Sequence, residues 1–325
     1  MPRFAIVRRG VLAAAVAIVT GSVAQAQNAY PSRPVTLVVP YAPGGSADIL
    51  ARAVGAALSA RLGQPIVVDN RAGAGTAIGA RTVATASPDG YTLLLGTVSS
   101  QAINPAMNKV AYDPVKDFIA VSPLASIPFV LATNPEAKIG SVAELIARAK
   151  AQPDGLSYAS AGPGTSNHLA GELLASQARI RLLHVPYKGS APALNDVVAG
   201  VVPLMFDLQA TTLPYLKSGK LKALAVTSRQ RSALLPDVPT MIESGLPGYE
   251  VSAWFGLFAP AGLPAPILAR LNAEVASILD TPEMADRLRE LGAERERGDS
   301  ASYAVYTRSE AVKWAEVVKR YGLAP

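Results

Sequence analysis

Residues 35–52, VTLVVPYAPGGSADILAR, constrain the fold of this chain more than any other segment. They begin with the uncharged, β-branched run Val35–Val39, which is typical of a strand buried on both faces of a parallel sheet. Pro40 lacks a backbone donor and ends the strand. A helical apolar stripe then continues as far as Gly63, with Ser46 as the predicted N-cap. The segment therefore predicts a strand, a Pro/Gly loop and a helix in succession.

The loop of this unit, Pro43-Gly44-Gly45-Ser46, is a candidate anion-binding site. Glycine lets the backbone approach another molecule closely, and the helix behind the loop directs free N–H groups and its positive dipole end towards it. Such a helix end favours an anion by roughly 0.3–1 kcal/mol. The alternative is that these residues form only a tight turn.

Strands and helices alternate through the rest of the first half. Predicted strands at 65–69 and 92–96 flank a helix, and this spacing indicates βαβ units on a parallel sheet. Exposed hydroxyls, among them Thr97 and Ser99, follow the second of these strands, where α/β ligands are usually met. Residues 119–124 and 129–133 then give two strands without a full helix between them. That break is the candidate for the first crossing between two domains.

The pattern restarts at Val142, with a helix to residue 152, a strand at 156–160, the loop AGPGTSN and another helix. Pro163-Gly164-Thr165-Ser166 in this loop echoes Pro43-Gly44-Gly45-Ser46 in the same structural context. The echo could be chance in a chain with 26 Gly and 26 Pro. Its context favours two facing anion-binding loops, one in each half.

The second half also places an acid at a strand end. Ser190 is predicted to cap a helix that ends at Gly200, and a strand at 201–206 follows, with Asp207 just past its carboxyl end. Asp207 either forms a salt bridge with a basic neighbour or meets a ligand ammonium, a ligand hydroxyl or an ordered water. Apolar residues 249–260 predict the strand that returns to the first domain, and the charges at 294–297 predict a solvated loop.

Length and composition bound the class of protein. A chain of 325 residues is too long for one ordinary core and suits two α/β domains. The formal charge of +6 is modest, the basic residues are scattered and the aromatic residues are few, which argues against a nucleic-acid partner. Because the chain has no cysteine and only two histidines, we expect no structural zinc site. We also expect no cofactor.

The N-terminus has the pattern of a cleavable signal peptide, residues 1–26. Arg3, Arg8 and Arg9 precede the apolar run at 11–19, and Ala24-Gln25-Ala26 is the cleavage motif. Cleavage removes three arginines and no acid, so the formal charge falls from +6 to +3. A membrane anchor is the alternative, but the apolar run is short against the ~20 residues of a span. We therefore expect export to the periplasm.

Two enzymatic alternatives compete with a binding function. A hydrolase would use a serine near His168 or His184, but no G-x-S-x-G elbow is present, because the run from Gly44 ends in Asp48. A nicotinamide enzyme would use Gly73-Ala74-Gly75 and Gly79. These glycines lie in the second βα unit, whereas a dinucleotide fingerprint belongs in the first.

The sequence resembles the receptors of the tripartite tricarboxylate transporters, also called Bug-type periplasmic solute-binding proteins. Distinctive segments in the family's order include YPSRPVTLVVPYAPGGSADILAR, GQPIVVDNRAGAGTAIGA, SPDGYTLLLGT, YASAGPGTSNHLAGELL and HVPYKGSAPALNDVVAGVVPLMFD. The resemblance covers essentially all of the chain after residue 26. It implies a type II-like periplasmic binding protein fold, in which two α/β domains joined by crossing strands close on a small carboxylate-bearing ligand. We predict domain 1 at 27–126 plus 252–325 and domain 2 at 127–251.

The resemblance also implies a function and a site. The chain would be a monomeric receptor without catalytic activity that delivers an organic acid to the membrane subunits of a transporter, or an orphan sensor. Thr76 departs from the family, which has a further glycine there, so backbone contacts from that loop do not carry over. The implied ligand-binding residues are Tyr41, Gly44, Gly45, Ser46, Thr97, Ser99, Ala161, Thr165, Ser166 and Asn167, with Asp207 as the selectivity position.

Overall fold

The computed structural model describes residues 30–153 and 155–323, so the predicted signal peptide lies outside the described residues. The strands are β1 Val35–Val39, β2 Ile66–Asn70, β3 Thr92–Thr97, β4 Phe118–Thr133, β5 Ser157–Ser160, β6 Leu183–Pro186, β7 Leu204–Leu208, β8 Lys222–Val226, β9 Ser252–Pro260 and β10 Glu294–Arg295. The α-helices are α1 Ser46–Leu62, α2 Ala77–Ala84, α3 Asn104–Met107, α4 Val142–Ala151, α5 Ser166–Ala178, α6 Ser190–Val198, α7 Gln209–Lys217, α8 Ala265–Leu279, α9 Pro282–Glu290 and α10 Ser300–Tyr321.

The first lobe consists of β1–β3 with the helices that cover them. Its strands run in the order β2-β1-β3, and β1 is parallel to both neighbours. Val35, Val38 and Val39 are at most 1% exposed, because helices cover both faces of the sheet. The uncharged sequence of β1 is explained by this two-sided burial.

The second lobe consists of β5–β8 with their helices. Here β5 is parallel to both β6 and β7, so βα units build this lobe as well. Each lobe therefore presents the carboxyl ends of parallel strands, and the loops behind them, to the cleft between the lobes.

Two long antiparallel strands, β4 and β9, connect the lobes. The first part of β4, as far as Pro128, pairs with β9, whose other edge pairs with β3. From Phe129 onward β4 pairs instead with β7 and β8. The expectation of two separate strands at 119–124 and 129–133 is therefore wrong. The residues between them continue β4, because Ser126 and Ile127 pair with Trp254 and Ala253.

Both predicted serine caps are also wrong. The N-caps of α1 and α6 are Gly45 and Gly189, and no side chain caps either helix. Ser46 and Ser190 are the first helical residues, and their hydroxyls turn away from the helix ends to contact Thr211 and Asp207. The first N–H groups of both helices are therefore left without a side-chain acceptor.

Two further expectations change with the observed register. The strand predicted at 201–206 is Leu204–Leu208, so Asp207 lies within β7 rather than beyond it. The segment predicted as a solvated loop at 294–297 contains β10, which pairs antiparallel with Ser126 and Ala125 of β4. Arg295 of β10 also pairs with the carboxylate of Asp280, which neutralises its charge at the sheet edge. Within the described ranges, no helix is both long and apolar enough to cross a membrane.

Candidate ligand-binding cleft

A small cavity lies between the two lobes. Its wall contains both polar and apolar residues. The polar residues and the glycine are Gly45, Ser46, Thr97, Ser166, Asn167 and Ser190. The apolar and aromatic residues are Tyr41, Ala47, Phe129, Leu208, Ala253 and Phe255.

Three helices begin at this cavity. Ser46 and Ala47 are the first residues of α1, Ser166 and Asn167 those of α5, and Ser190 that of α6. The positive ends of three helix dipoles therefore converge on one small volume, where they favour a bound anion. The side chains of the wall itself are uncharged.

The loop before α1 is fixed from behind by Asp48. Its carboxylate accepts hydrogen bonds from the Gly44 amide at 3.0 Å and from Asn70 Nδ2 at 3.0 Å, and it forms a salt bridge with Arg52. Burial alone would raise the pKa of Asp48, but Arg52, Gly44 and Asn70 outweigh burial and hold this pKa below its ordinary value. Asp48 therefore stays ionised and holds the loop in one conformation, and the Gly44 N–H is occupied.

Each Pro/Gly loop packs against a different segment of the opposite lobe. The Ala42 amide donates to the Lys188 carbonyl at 3.3 Å, and a Cβ atom on Gly45 would lie 3.6 Å from the Cβ of Ser190. A Cβ atom on Gly164, by contrast, would lie 2.4 Å from Oδ1 of Asn104. The loops at 43–46 and 163–166 therefore contact different segments across the cleft. Gly45 and Ser46 of the first loop and Ser166 of the second line the same cavity.

Hydroxyl groups join the lobes at the edge of the cavity. The Ser166 amide donates to Ser99 Oγ at 3.0 Å, and the Oγ atoms of the two serines are 3.2 Å apart. Ser46 Oγ and Thr211 Oγ1 approach to 3.4 Å. The predicted exposure of the hydroxyls at 97–99 is wrong, since Thr97 and Ser99 are at most 1% exposed beneath the second lobe. These contacts describe a closed cleft.

The structure brings about half of the predicted ligand-binding residues to the cavity wall. Those at the wall are Tyr41, Gly45, Ser46, Thr97, Ser166 and Asn167, whereas Gly44, Ser99, Ala161, Thr165 and Asp207 do not line it. Thr165 is the N-cap of α5, where its Oγ1 accepts from the His168 amide, and it donates to the Gly162 carbonyl at 2.6 Å. The residues set back from the wall therefore position their neighbours.

Asp207 is fully buried behind the wall. Its carboxylate accepts hydrogen bonds from Ser190 Oγ at 2.7 Å, Thr211 Oγ1 at 2.5 Å and Asn167 Nδ2 at 3.2 Å. Burial raises the pKa of Asp207 despite these three donors. Within residues 30–153 and 155–323 it forms no salt bridge with a basic neighbour, so that alternative is wrong. Asp207 holds Ser190 and Asn167, both of which face the cavity.

Ser190 and most of the apolar lining residues were not predicted from the sequence. Lys188-Gly189-Ser190 follows β6 and precedes a helix, which is the same pattern as in the two loops predicted to bind an anion. On the crossing strand β9, Ala253 and Phe255 are two residues apart and therefore point to one face. Both signals were present in the sequence. The first was interpreted only as a helix cap, and the second only as a connection.

The two histidines form a separate cluster outside the cavity wall. Nε2 of His184 lies 2.6 Å from Ser160 Oγ, and the rings of His184 and His168 stack with centroids 4.1 Å apart. Burial lowers the pKa of each histidine to about 4. Ser160 is fully buried and accepts a hydrogen bond from the Gly162 amide. Neither histidine nor Ser160 is among the residues that line the cavity.

The glycine loop considered for a nucleotide contacts the protein itself. A Cβ atom on Gly75 would lie 1.8 Å from the Pro163 carbonyl oxygen of the opposite lobe. Asn104 Nδ2 donates to the Ala74 and Gly75 carbonyls on the other side. The absence of a side chain on Gly75 therefore lets the backbones of the two lobes come close to each other, rather than letting a nucleotide bind. Among the described residues, no group of acidic and histidine side chains could hold a metal ion.

Two α/β lobes that are joined by crossing strands and close on a cleft define the class of periplasmic solute-binding proteins. Rpa4515 of R. palustris, solved with adipate, is 39% identical with a TM-score of 0.87, over 90% of this chain and 98% of that one. MatC of Rhodopseudomonas palustris, solved with bound malate, is 38% identical with a TM-score of 0.86, over 89% of this chain and 100% of that one.

Sequence comparison gives the family. The chain is 37% identical to protein BugT of Bordetella pertussis over 295 residues, which are 90% of each protein. Residues 50–323 match the model of the tripartite tricarboxylate transporter family receptor, and the chain belongs to this family. The expected family and fold class are confirmed. Family and fold are those of solute-binding receptors rather than of enzymes.

Proposed function

We propose that this protein is a periplasmic receptor that captures a small organic acid by its carboxylate and delivers it to the membrane subunits of a tripartite tricarboxylate-type transporter. Membership of the receptor family supports this role. So do two similar proteins of known structure, one solved with adipate and one with bound malate. The receptor works as an exported monomer, with the signal peptide removed after Ala26, and it releases its ligand chemically unchanged.

The convergence of three helix N-termini on one cavity carries the proposal. Two of these helices, α1 and α6, have no side-chain cap, so their first N–H groups are available to a ligand. A carboxylate supplies several acceptor positions and a full negative charge for such donors. An uncharged ligand of the same shape would offer these N–H groups a weaker acceptor.

We propose that the ligand enters by bending of the two crossing strands at the predicted domain boundaries, 27–126 plus 252–325 and 127–251. The pairing of β4 supports these boundaries, because its partner changes from β9 to β7 at Pro128 and Phe129. Ser252 and Ala253 of β9 lie opposite the same part of β4. The two points at which the chain crosses between the lobes therefore lie next to each other on paired strands.

The test is to compare an acid with its methyl ester. Thermal-shift screening of a carboxylic-acid library identifies ligands, since a ligand at 100 times its Kd adds about 2.7 kcal/mol of stability. The protein is then titrated with the best acid and with its methyl ester in a calorimeter. Only the acid should bind. Equal affinity of the two would overturn carboxylate capture. Mass spectrometry of the recovered ligand should find it unchanged, and turnover would support the enzymatic alternative instead.

A further inference from the structure

We propose that the second lobe binds an anionic phospholipid surface through its end remote from the cleft, with Leu183 and Val201 entering that surface. We call this end of the lobe the basic pole. It comprises residues 134–138, 148–153, 155–156, 179–183, 199–203 and 217–222. Its test uses the isolated protein, so the outcome does not depend on the ligand of the cleft.

Strand register places these segments side by side. Leu183 of β6 pairs with Ser157 of β5, and β5 also pairs with β7. Leu204 of β7 and Lys222 of β8 both lie opposite Thr133, the last residue of β4. The starts of four strands and the end of a fifth therefore meet at one edge of the sheet, and the loops at this edge form the basic pole.

Side-chain hydrogen bonds hold these loops together. Asn134 Nδ2 donates to the Val197 carbonyl at 2.9 Å, near the end of α6, and the Arg148 guanidinium donates to the Ala137 carbonyl at 2.6 Å. The cavity lies at the opposite edge of the sheet, because α5 and α6 begin at the cavity and end at the basic pole. A partner at the basic pole therefore leaves the cleft accessible.

The fold brings together basic residues that are scattered in the sequence. The basic residues of the pole, all of them exposed, are Lys138, Arg148, Lys150, Arg179, Arg181, Lys217, Lys220 and Lys222. Glu136 is the acid of these segments, and Asp154 adds a second negative charge between two of them in sequence. With Asp154 counted, the pole has a formal charge of +6, whereas residues 27–325 have +3, so the rest of the chain carries −3. This separation of charge steers the basic pole towards a negative surface.

Salt bridges do not neutralise this charge. Elsewhere in the same lobe, Arg229 and Arg231 pair with Glu250 and Glu243. Arg181 left aside, no basic residue of the pole forms a salt bridge with residues 30–153 or 155–323. The charges of these side chains are therefore available to a partner.

Helix dipoles account for only part of the charge. The carboxyl ends of α4, α5 and α7 lie at the basic pole, where the negative ends of their dipoles favour cations. The cations at these helix ends are Arg148, Lys150, Arg179 and Lys217. Lys138 and Lys220 lie in loops, and Lys222 begins β8, so the helix ends do not explain these three lysines.

Two large apolar side chains are exposed within the basic pole. Leu183 is 58% exposed and Val201 is 68% exposed. Leu183 begins β6 and Val201 precedes β7, and these two strands flank β5. A bilayer interface buries apolar side chains while its anionic head groups attract the surrounding lysine and arginine. An acidic protein surface would satisfy only the charges, so this combination favours a membrane.

The experiment is flotation of the mature protein with vesicles. One set of vesicles is pure phosphatidylcholine, and the other is phosphatidylcholine mixed equally with phosphatidylglycerol. We expect at least tenfold more protein on the anionic vesicles at low salt, and loss of this binding in about 0.5 M salt, because salt screens the attraction. Equal binding to both sets would overturn the proposal. So would no binding to the anionic vesicles, which is the result that an acidic protein partner would give.

A pair of double variants tests the position of the charge. Lys220→Glu with Lys222→Glu should lower binding to the anionic vesicles at least tenfold. Lys109→Glu with Arg308→Glu changes the net charge equally at two exposed positions outside the pole, and should bind within twofold of the natural protein. Melting temperatures of the variants distinguish lost binding from unfolding. An equal loss in both would make net charge responsible and overturn the proposal.

A second pair tests the apolar side chains. Leu183→Ser with Val201→Ser keeps every charge and should weaken binding to the anionic vesicles at least threefold. Val305→Ser with Val312→Ser removes two similarly exposed side chains from α10, 67% and 61% exposed, and should leave binding unchanged. Unchanged binding in both variants would overturn the entry of Leu183 and Val201 into the membrane.

Discussion

Gly45 lies where the two uncapped helix starts approach each other, since a Cβ atom on it would be 3.6 Å from that of Ser190. Its φ of −83° is open to any residue, so a side chain here changes the space available rather than the backbone. Gly45→Val should abolish binding of the best acid, because its methyl groups enter the gap to Ser190. The loss of a good N-cap residue should cost only about 1 kcal/mol of stability. Calorimetric titration and urea unfolding measure the two effects, and a folded variant that binds normally would contradict the role of Gly45.

Gly164 should act on closure rather than on the ligand. It has a φ of +77°, and a Cβ atom there would meet Asn104 of the opposite lobe. Gly164→Ala should therefore weaken binding at least tenfold and leave the protein more open in small-angle scattering at saturating ligand.

Gly219→Ala is the matched control for Gly164→Ala. Gly219 has a similar φ of +71°, but no atom lies within 4 Å of its Cβ position. The control therefore carries the same backbone strain without the clash between the lobes. Equal effects of the two substitutions on binding would show that strain alone, not closure, is responsible.

Asp207 should contribute to stability even without ligand. Asp207→Ala removes the acceptor of three donors, the buried ones on Thr211 and Asn167 and the half-buried one on Ser190, and should cost about 1–3 kcal/mol in the ligand-free protein. Asp207→Asn retains one acceptor oxygen and should cost less. Urea unfolding without ligand measures both. If stability were unchanged and only ammonium-bearing ligands lost affinity, Asp207 would be the selectivity position that the family resemblance implied.

At the scale of single elements, the local order of strand, loop and helix could be predicted from the sequence, because it depends on neighbouring residues. The units around β1 and α1, and around β5 and α5, are found where hydrophobic periodicity and glycine indicated them. The continuity of β4 could not be predicted in this way. Pro123 and Pro128 remove backbone donors, yet the strand continues because register shifts and pairing with β9 accommodate them.

The sequence also could not predict which segments the two Pro/Gly loops contact across the cleft. The segments around 43–46 and 163–166 are similar in sequence, but similarity does not determine which opposing segment each meets. Lys188 and Ser190 face the first loop, and Asn104 faces the second. These partners are more than 50 residues away in sequence and are set by how the lobes close.

The loop before α5 should make stability depend on pH. His168 Nδ1 accepts from the Gly164 amide at 3.2 Å, which requires that this nitrogen carry no proton, and His184 Nε2 lies 2.6 Å from Ser160 Oγ. Burial lowers the pKa of each to about 4, against about 6.5 in the unfolded chain. The unfolded state binds more protons between these values, so stability should fall as pH falls from about 6.5 towards 4.

The measurement is the melting temperature from pH 7 to pH 4.5 for the natural protein and for the double variant His168→Asn, His184→Gln. Each amide offers an acceptor near the position of the ring nitrogen that it replaces, but it does not titrate. The melting temperature should fall less between pH 7 and pH 4.5 in the double variant than in the natural protein. Protonation of carboxylates elsewhere affects both proteins alike. If the melting temperatures of the two proteins fall in parallel, the histidines do not cause the fall.

At the scale of the whole molecule, the two lobes are connected mainly by two strands, and closing the cleft depends on them. The lobes are joined through β4 and β9, which run antiparallel and pair along Phe118–Pro128 of β4. Bending of these paired strands would move the polar helix starts of the second lobe relative to those of the first. The same strands supply Phe129, Ala253 and Phe255 to the cavity wall. Ligand contact and lobe movement are therefore coupled through the same residues.

Strand β9 also contains a tryptophan whose fluorescence emission can be measured. Trp254 of β9 and Trp314 of α10 are the two tryptophans of the chain, and both indole N–H groups donate to Oε2 of the buried Glu310, at 3.0 and 2.9 Å. Bending of β9 changes the distance of one indole from a carboxylate that the other shares. Tryptophan emission should therefore shift when a bound acid closes the cleft, and Trp314→Phe should retain the shift while Trp254→Phe loses it. If the shift is found, the protein would report occupancy in solution without an attached dye.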